Sequence, residues 1–177
     1  MWKLITLLAV FTLAACSENS NKSNTSASEI PNQAEQLAGS SDYAFISDPA
    51  LRSCLEASGM TVEQVHTVVC SGKGVQTLAG VEQLPKLKNL NLSHNEIADL
   101  QPLSSVSLEV FYATNNKISN IQALETMVTL KELSLSSNEL EDASPLYGLS
   151  ALDRVYMQGN SALDIDLTQM KAKYMAL

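Results

Sequence analysis

A frame of leucine-like residues recurs along most of this chain at a nearly constant spacing. The segment that starts at Leu87 reads Leu-x-x-Leu-x-Leu-x-x-Asn-x-apolar, and the segment that starts at Leu130 repeats this pattern. A fixed period predicts stacked repeats, because each unit has an apolar face that only a neighbouring unit can bury. The central frame position recurs at intervals of 22, 21, 22 and 22 residues, at Val68, Leu90, Phe111, Leu133 and Val155.

The Leu-x-Leu step in each unit predicts a short strand, since alternate residues of a strand point to the same face. We expect five units across residues 65–166 to pair their strands into one parallel sheet, with the frame residues in a continuous core. An Asn follows the strand where the chain turns, and its amide group can bond backbone groups that the turn leaves unpaired. The predicted ladder comprises Asn95, Asn116, Asn138 and Asn160.

This pattern resembles the leucine-rich repeat family, and the 22-residue period with its trailing Ile-x-x-Leu-x-x-Leu is similar to the internalin-like subclass. The resemblance implies an α/β solenoid, a short arc with a parallel β-sheet on its concave face. It also implies that partners bind to that face. A coiled coil is disfavoured, because Gly80, Pro85, Pro102 and Pro145 would interrupt its heptads.

Both ends of such a stack need a cover. Asp48 and Pro49 predict the start of a short helix that runs to about Ser58, within an N-terminal cap of residues 42–64. We expect residues 167–177 to form a helical C-terminal cap. Three residues share one side of that second helix: Leu167, Met170 and Tyr174.

Two cysteines are placed to join the N-terminal cap to the repeats. Cys54 lies on the apolar side of the predicted helix, and Cys70 takes an inward frame position in the first unit. We expect a disulfide between them, worth ~3 kcal/mol for a loop of this size. The alternative is a pair of buried free thiols.

The first residues have the features of an exported protein. Lys3 precedes an uncharged apolar run at residues 4–15, which is too short for a membrane-spanning helix of ~20 residues. The run ends in Leu-Ala-Ala-Cys16, which resembles the lipobox of bacterial lipoproteins. The resemblance implies a signal peptide at residues 1–15 and a membrane anchor of lipid and acyl chains, such as palmitate, on Cys16. The alternative is an ordinary signal peptide that leaves Cys16 as a free thiol.

The residues after Cys16 bear on location and reach. Among enteric lipoproteins the residue after the lipidated Cys selects the membrane, so Ser17 implies the outer membrane where the host has one. Residues 16–41 are dominated by Ser, Asn and Thr, with few large apolar side chains. We expect them to form a flexible tether that holds the folded part away from the membrane.

The varied residues between the frame leucines are predicted to cover the concave face. Tyr112 and Tyr156 are candidates for an interface hot spot, since exposed tyrosines among polar neighbours suit that role. We predict that Arg154, His94 and Asn115 form the edge of the same patch. The alternative is that the rings only cover the sheet and that the charged residues form a solvated face.

No constellation of reactive groups stands out in the sequence. The chain has only two histidines, His66 and His94, and neither has Cys or carboxylates at metal-ligand spacing. A net charge of −8 disfavours nucleic-acid binding. We therefore expect a monomeric, non-enzymatic interaction module without cofactor or metal, anchored in the cell envelope, which binds a protein or peptide partner. The alternative is a structural or assembly lipoprotein without a dedicated ligand.

Overall fold

The structure is a computed structural model that describes residues 42–177. Four predictions lie outside the described residues: the signal peptide at residues 1–15, the lipid on Cys16, the sorting role of Ser17, and the tether at residues 16–41. They stay predictions.

The repeats form one parallel sheet of six short strands that follow each other in chain order. Neighbouring strands pair so that the frame residues Val68, Leu90, Phe111, Leu133 and Val155 lie side by side, as the period predicted. In the second, third and fourth strands the middle residue is buried and its two neighbours are half-buried, which is the alternation expected of Leu-x-Leu. The strands are β1 (Thr67–Val69), β2 (Asn89–Asn91), β3 (Val110–Tyr112), β4 (Glu132–Ser134), β5 (Arg154–Tyr156) and β6 (Tyr174–Ala176).

Tight 3₁₀ turns close the far side of the coils. Together the strands and turns enclose one core, in which the frame residues of the first four units are buried. Pro is accepted as the second residue of two of these turns because its fixed φ suits the first turn of a helix. The turns span Val62–Gln64, Val81–Gln83, Gln101–Leu103, Gln122–Leu124 and Ser144–Leu146.

The four asparagines of the predicted ladder bond backbone groups of two successive coils. In Asn138, Nδ2 donates to the carbonyls of Leu135 in its own coil and Ala113 in the preceding coil, both at 2.9 Å. Its Oδ1 accepts from the amide of Ile118, again in the preceding coil, at 3.1 Å. Equivalent bonds are made by Asn95, Asn116 and Asn160. The ladder thus ties each coil to the one before it as well as closing its own bend.

At the N-terminal end the predicted helix is observed as α1 (Pro49–Ala57), with Leu51 and Leu55 buried in the common core. Asp48 caps it, since Oδ1 accepts from the amides of Ala50 and Leu51 at 2.9 Å. The predicted disulfide is confirmed, with a Cys54–Cys70 S–S distance of 2.01 Å. It joins α1 directly to the residue after β1.

The predicted helix at residues 167–177 is wrong. The chain there makes turns and then β6, while Leu167 and Tyr174 are exposed and Met170 is buried. Strand pairing is favoured because it satisfies backbone groups at the edge of β5: the amide of Met157 donates to the carbonyl of Ala176 at 2.8 Å. An isolated helix of this length is marginal in water and would leave those groups unpaired.

The frame also weakens in the fifth unit, where every apolar position was expected to point inward. Leu152, Val155 and Met157 are buried, but Ala162 is exposed and Ile165 is only half-buried. The reason is local: after the strand, the chain closes in a tight turn in which the amide of residue 163 donates to the carbonyl of residue 160 at 3.2 Å.

Candidate partner-binding surface

The exposed side chains of the six strands lie in two rows, which together we call the sheet face. Each row takes one residue from every strand, because the parallel register places equivalent residues side by side. The first row is Thr67, Asn89, Val110, Glu132, Arg154 and Tyr174. The second row is Val69, Asn91, Tyr112, Ser134, Tyr156 and Ala176.

Three side chains from successive strands are linked across the two rows. The Tyr112 hydroxyl donates to Glu132 Oε1 at 2.7 Å, and Arg154 Nη1 donates to Glu132 Oε2 at 2.8 Å. The Glu132 side chain is 21% exposed, whereas that of Arg154 is 49% exposed. Glu132 therefore holds Tyr112 and Arg154 in a defined arrangement on an otherwise open surface.

These bonds change the titration of the groups involved. The hydrogen bond from Tyr112 lowers the pKa of Glu132 below its usual value, and the bond from Arg154 adds to this against the opposing effect of burial. Burial raises the pKa of Tyr112, and the adjacent Glu132 carboxylate raises it further, to about 12. At neutral pH the surface thus carries an ionised carboxylate beside a neutral phenol.

A shallow depression of about 310 Å³ lies in the middle of the sheet face. Tyr112 and Tyr156 both border it, and Ser134 lies between them on β4. Hydroxyl groups line the rest, with Thr114 Oγ1 and Ser134 Oγ 2.8 Å apart. The depression is bordered by Ser93, Tyr112, Thr114, Glu132, Ser134 and Tyr156.

A charged pair lies beside the sheet face, where the chain enters the strands. Lys131 Nζ lies 2.6 Å from Glu109 Oε2, and both side chains are more than a third exposed. Pairs of this kind contribute roughly 0.2–1 kcal/mol. They are accounted for by attraction between neighbouring coils without a ligand.

His94 and Asn115 were predicted at the edge of the tyrosine patch. The structure places them in the turn after the strands, where Asn115 Nδ2 and His94 Nδ1 are 3.2 Å apart, and neither borders the depression. Both have a left-handed backbone, with φ of 60° and 56°. Asn and His are among the residues that tolerate that conformation best, so the turn alone explains them. Their role in binding a partner stays a prediction.

Four residues of the depression were not singled out from the sequence, namely Ser93, Thr114, Glu132 and Ser134. The hydrogen bond between Tyr112 and Glu132 runs diagonally between the two rows. Diagonal neighbours on adjacent strands are within reach of long side chains. The pair follows a simple sequence rule: the carboxylate of Glu132 lies two residues before Ser134, which is the register partner of Tyr112 on the next strand.

Within residues 42–177, no group of three or more His, Cys, Asp or Glu side chains is arranged to hold a metal ion. A cavity of about 600 Å³ lies between α1 and β1 and is lined mostly by apolar residues around the disulfide. The residues that line this cavity do not form a set of reactive groups.

The comparisons with known proteins agree with this architecture. The family described as Leucine Rich repeats (2 copies) matches residues 85–126 and 106–146. No curated protein matches the chain.

Two solved structures from Listeria monocytogenes are similar. An internalin, inlF, is 28% identical with a TM-score of 0.71, and the match covers 76% of this chain and 44% of that one. The functional domain of InlJ, which includes a cysteine ladder, is 16% identical with a TM-score of 0.60, covering 76% of this chain and 37% of that one. The chain therefore spans less than half the length of either structure.

Leucine-rich repeat domains are generally protein-interaction modules, and the repeats, sheet register and fold similarity all point to the same class. Residues 85–146 of this chain match leucine-rich repeats, and its fold is similar to that of an internalin.

Proposed function

We propose that this protein is a membrane-anchored, non-enzymatic interaction module of the bacterial cell envelope that binds a protein or peptide partner through its sheet face. The observation that carries the proposal is that Tyr112, Glu132 and Tyr156 border one depression, with Arg154 bonded to Glu132 beside it. Tyrosine and arginine are the residues most enriched where interfaces derive their affinity.

The form of the surface supports a macromolecular partner. The depression is open and shallow, whereas small-molecule sites are usually enclosed and mostly apolar. Glu132 restrains the Tyr112 side chain through a 2.7 Å hydrogen bond, so less side-chain freedom is lost when a partner binds. The net charge of −8 argues against nucleic acid as the partner.

The anchor is proposed from the lipobox-like sequence that ends at Cys16. No helix within residues 42–177 is long and apolar enough to span a membrane. Two or more acyl chains give stable attachment where one gives only marginal binding. On this proposal Cys16 carries the lipid, the residues after it act as tether, and Ser17 directs the protein to the outer membrane of a Gram-negative host.

Affinity capture from the native envelope tests the binding proposal. The soluble repeat domain is compared with its Tyr112→Ala and Tyr156→Ala variants, and Tyr147→Ala serves as the matched control because Tyr147 lies away from the sheet face. We expect a captured protein that both sheet-face variants lose and the control retains. An eluate unchanged by both variants would count against a binding role for this face.

Membrane fractionation tests the anchor. We expect the wild-type protein in the membrane fraction and the Cys16→Ser variant in the soluble fraction. Continued membrane attachment of the variant would remove the lipid anchor from the proposal.

The second candidate is a structural or assembly envelope protein without a dedicated ligand. It is favoured by the fact that Glu132 already has partners within the chain for both of its oxygens. Under this candidate the capture experiment yields no protein that depends on Tyr112 or Tyr156.

A further inference from the structure

Tyr112, Ser134 and Tyr156 occupy the same register position on three consecutive strands. A small residue thus stands between two large aromatic ones, and all three border the same depression. We call this feature the tyrosine slot. Because neighbouring strands are ~4.8 Å apart, the two tyrosine backbones are separated by ~9.6 Å. The depression of about 310 Å³ that these residues border is large enough for one flat group.

The slot offers an incoming cation a carboxylate with free acceptor positions, which Arg154 already partners. Glu132 lies two residues before Ser134 on the same strand and the same side of the sheet. Its carboxylate accepts one hydrogen bond at each oxygen, from Tyr112 and Arg154, whereas a carboxylate offers about four acceptor positions. The aromatic faces add negative potential of their own, and the net charge of the chain is −8.

Dimensions favour a planar cation in particular. The strand that carries Ser134 lies ~4.8 Å from each strand that carries a tyrosine, a spacing comparable with the ~6 Å over which a cation is attracted to an aromatic ring. Guanidinium is flat, stacks on aromatic rings and carries several N–H donors, whereas an ammonium is a compact and strongly hydrated point charge.

We propose that the tyrosine slot receives an arginine side chain of the protein partner, with the guanidinium between Tyr112 and Tyr156 and its N–H groups directed at Glu132. This inference rests on the proposed function and specifies the chemistry that the sheet face recognises. Arg154 competes for the same carboxylate, so the incoming arginine shares Glu132 with it.

The test is a titration of the isotope-labelled protein with N-acetyl-arginine amide, followed through the ring resonances of Tyr112 and Tyr156. The matched probe is N-acetyl-citrulline amide, which has nearly the same shape but no charge. We expect arginine amide to shift both rings saturably at millimolar concentrations, and citrulline amide to bind at least about fivefold more weakly. Equal binding of the two probes would overturn the inference, because the charge would not be recognised.

Two variants with added bulk locate the binding. Ser134→Leu fills the slot and leaves both tyrosines in place, whereas Ala176→Leu adds the same bulk at the same register position on β6, beyond Tyr156. We expect Ser134→Leu to abolish the arginine-dependent shifts and Ala176→Leu to retain them. A third variant, Arg154→Gln, removes the competing cation and should tighten probe binding by about twofold or more. Loss of binding in Arg154→Gln, or its persistence in Ser134→Leu, would contradict the slot.

The outcome also separates this inference from the proposed function. If a partner is captured through Tyr112 and Tyr156 but Ser134→Leu captures it equally well, the arginine slot is wrong and the interaction module stands. Ring shifts with a chitin disaccharide in the absence of shifts with arginine amide would likewise overturn the slot, since they would assign the depression to a glycan.

Discussion

The two ends of the repeat stack treat the same frame position differently. Val68 in β1 is buried although no further strand of residues 42–177 lies beyond it, whereas Met175, at the equivalent position of β6, is 37% exposed. Beyond β1 the chain places α1, whose Leu51 and Leu55 join the core. The C-terminal end of the chain has β6 itself, with Tyr174 and Leu177 also exposed.

The two ends also differ in the polar and covalent bonds that hold them to the repeats. At the N-terminal end Asp48 connects two parts of the chain: Oδ1 caps α1, while Oδ2 accepts from the amides of Gln76 and Thr77 at 2.8 and 3.1 Å. The Cys54–Cys70 disulfide adds a covalent link. A Cβ on Gly80 would overlap the backbone at Phe45, so this end is also closely packed. The comparison shows that a frame residue contributes to the core only where both of its sides are covered.

The largest change in the free energy of unfolding should come from substituting a buried frame residue, compared with its exposed equivalent in β6. Leu133→Ala removes a fully buried side chain from β4 and should lower the free energy of unfolding by roughly 2–5 kcal/mol. Met175→Ala at the same register position should cost less, about 1 kcal/mol, because that residue is already 37% exposed. Urea denaturation measures both. Similar losses from the two substitutions would break the comparison.

Removing the disulfide tests the covalent link at the N-terminal end. The Cys54→Ser, Cys70→Ser double variant should lose about 3 kcal/mol of unfolding free energy, since the bond closes a loop of 16 residues' separation. Denaturation of the wild type with and without reductant gives an independent value. A loss below about 1 kcal/mol would mean that α1 is held by packing and hydrogen bonds alone.

Asp48→Ala tests the polar link at the same end. The substitution removes the partner of four backbone amides, which should cost roughly 2–3 kcal/mol through the lost cap and the unpaired donors. Glu56→Ala, at an exposed position of the same helix, is the control and should change stability by less than about 0.5 kcal/mol. An equal effect of the two would show that Asp48 does not fasten the end.

Acid should weaken the Asp48 contribution. Burial raises the pKa of this carboxyl, but backbone hydrogen bonds from Gln76, Leu51, Thr77 and Ala50 outweigh it and bring the pKa below its usual value. A carboxyl with a lowered folded-state pKa stabilises the fold above its unfolded pKa of ~3.9, and this stabilisation is lost as the pH falls through the folded value. The stability difference between wild type and Asp48→Asn should therefore be constant from pH 7 to about 5 and shrink below that. A difference that grows on acidification would have the wrong sign.

The strands and register in the middle of the fold could be predicted from the sequence because several repeats carry the same pattern there. Several units specify one register, so an error in one position is corrected by the next, and rows such as Tyr112–Ser134–Tyr156 follow directly. At the C-terminal end there was one copy only. The segment Tyr174-Met175-Ala176 has no leucine frame around it, and a helical pattern of apolar residues misled the prediction.

The candidate surface was predictable by row but not by contact. Each side chain's row follows from the repeat, whereas the Tyr112–Glu132 bond depends on rotamers and crosses rows. A second feature was present in the sequence and was missed: one turn position after each strand has positive φ in all five units. That position carries Gly72, His94, Asn115, Ser137 and Gly159, and its two glycines and asparagine are the signal.

Hydrogen exchange should show the smallest but most direct difference between strands. Tyr174 and Ala176 of β6 pair with β5 in the same register in which Arg154 and Tyr156 of β5 pair with β4. The backbone geometry of the two strand pairs is therefore equivalent. Because β6 has a neighbour on one side only and its central side chain is partly in water, we expect its amides to exchange through local opening. Their opening free energies should lie near the low end of the range, while those of β4 and β5 approach the global value. Equal protection of β6 and β5 would mean that strand pairing alone fastens an end of this stack. The apolar cover and the disulfide at the opposite end would then add stability without being required for order.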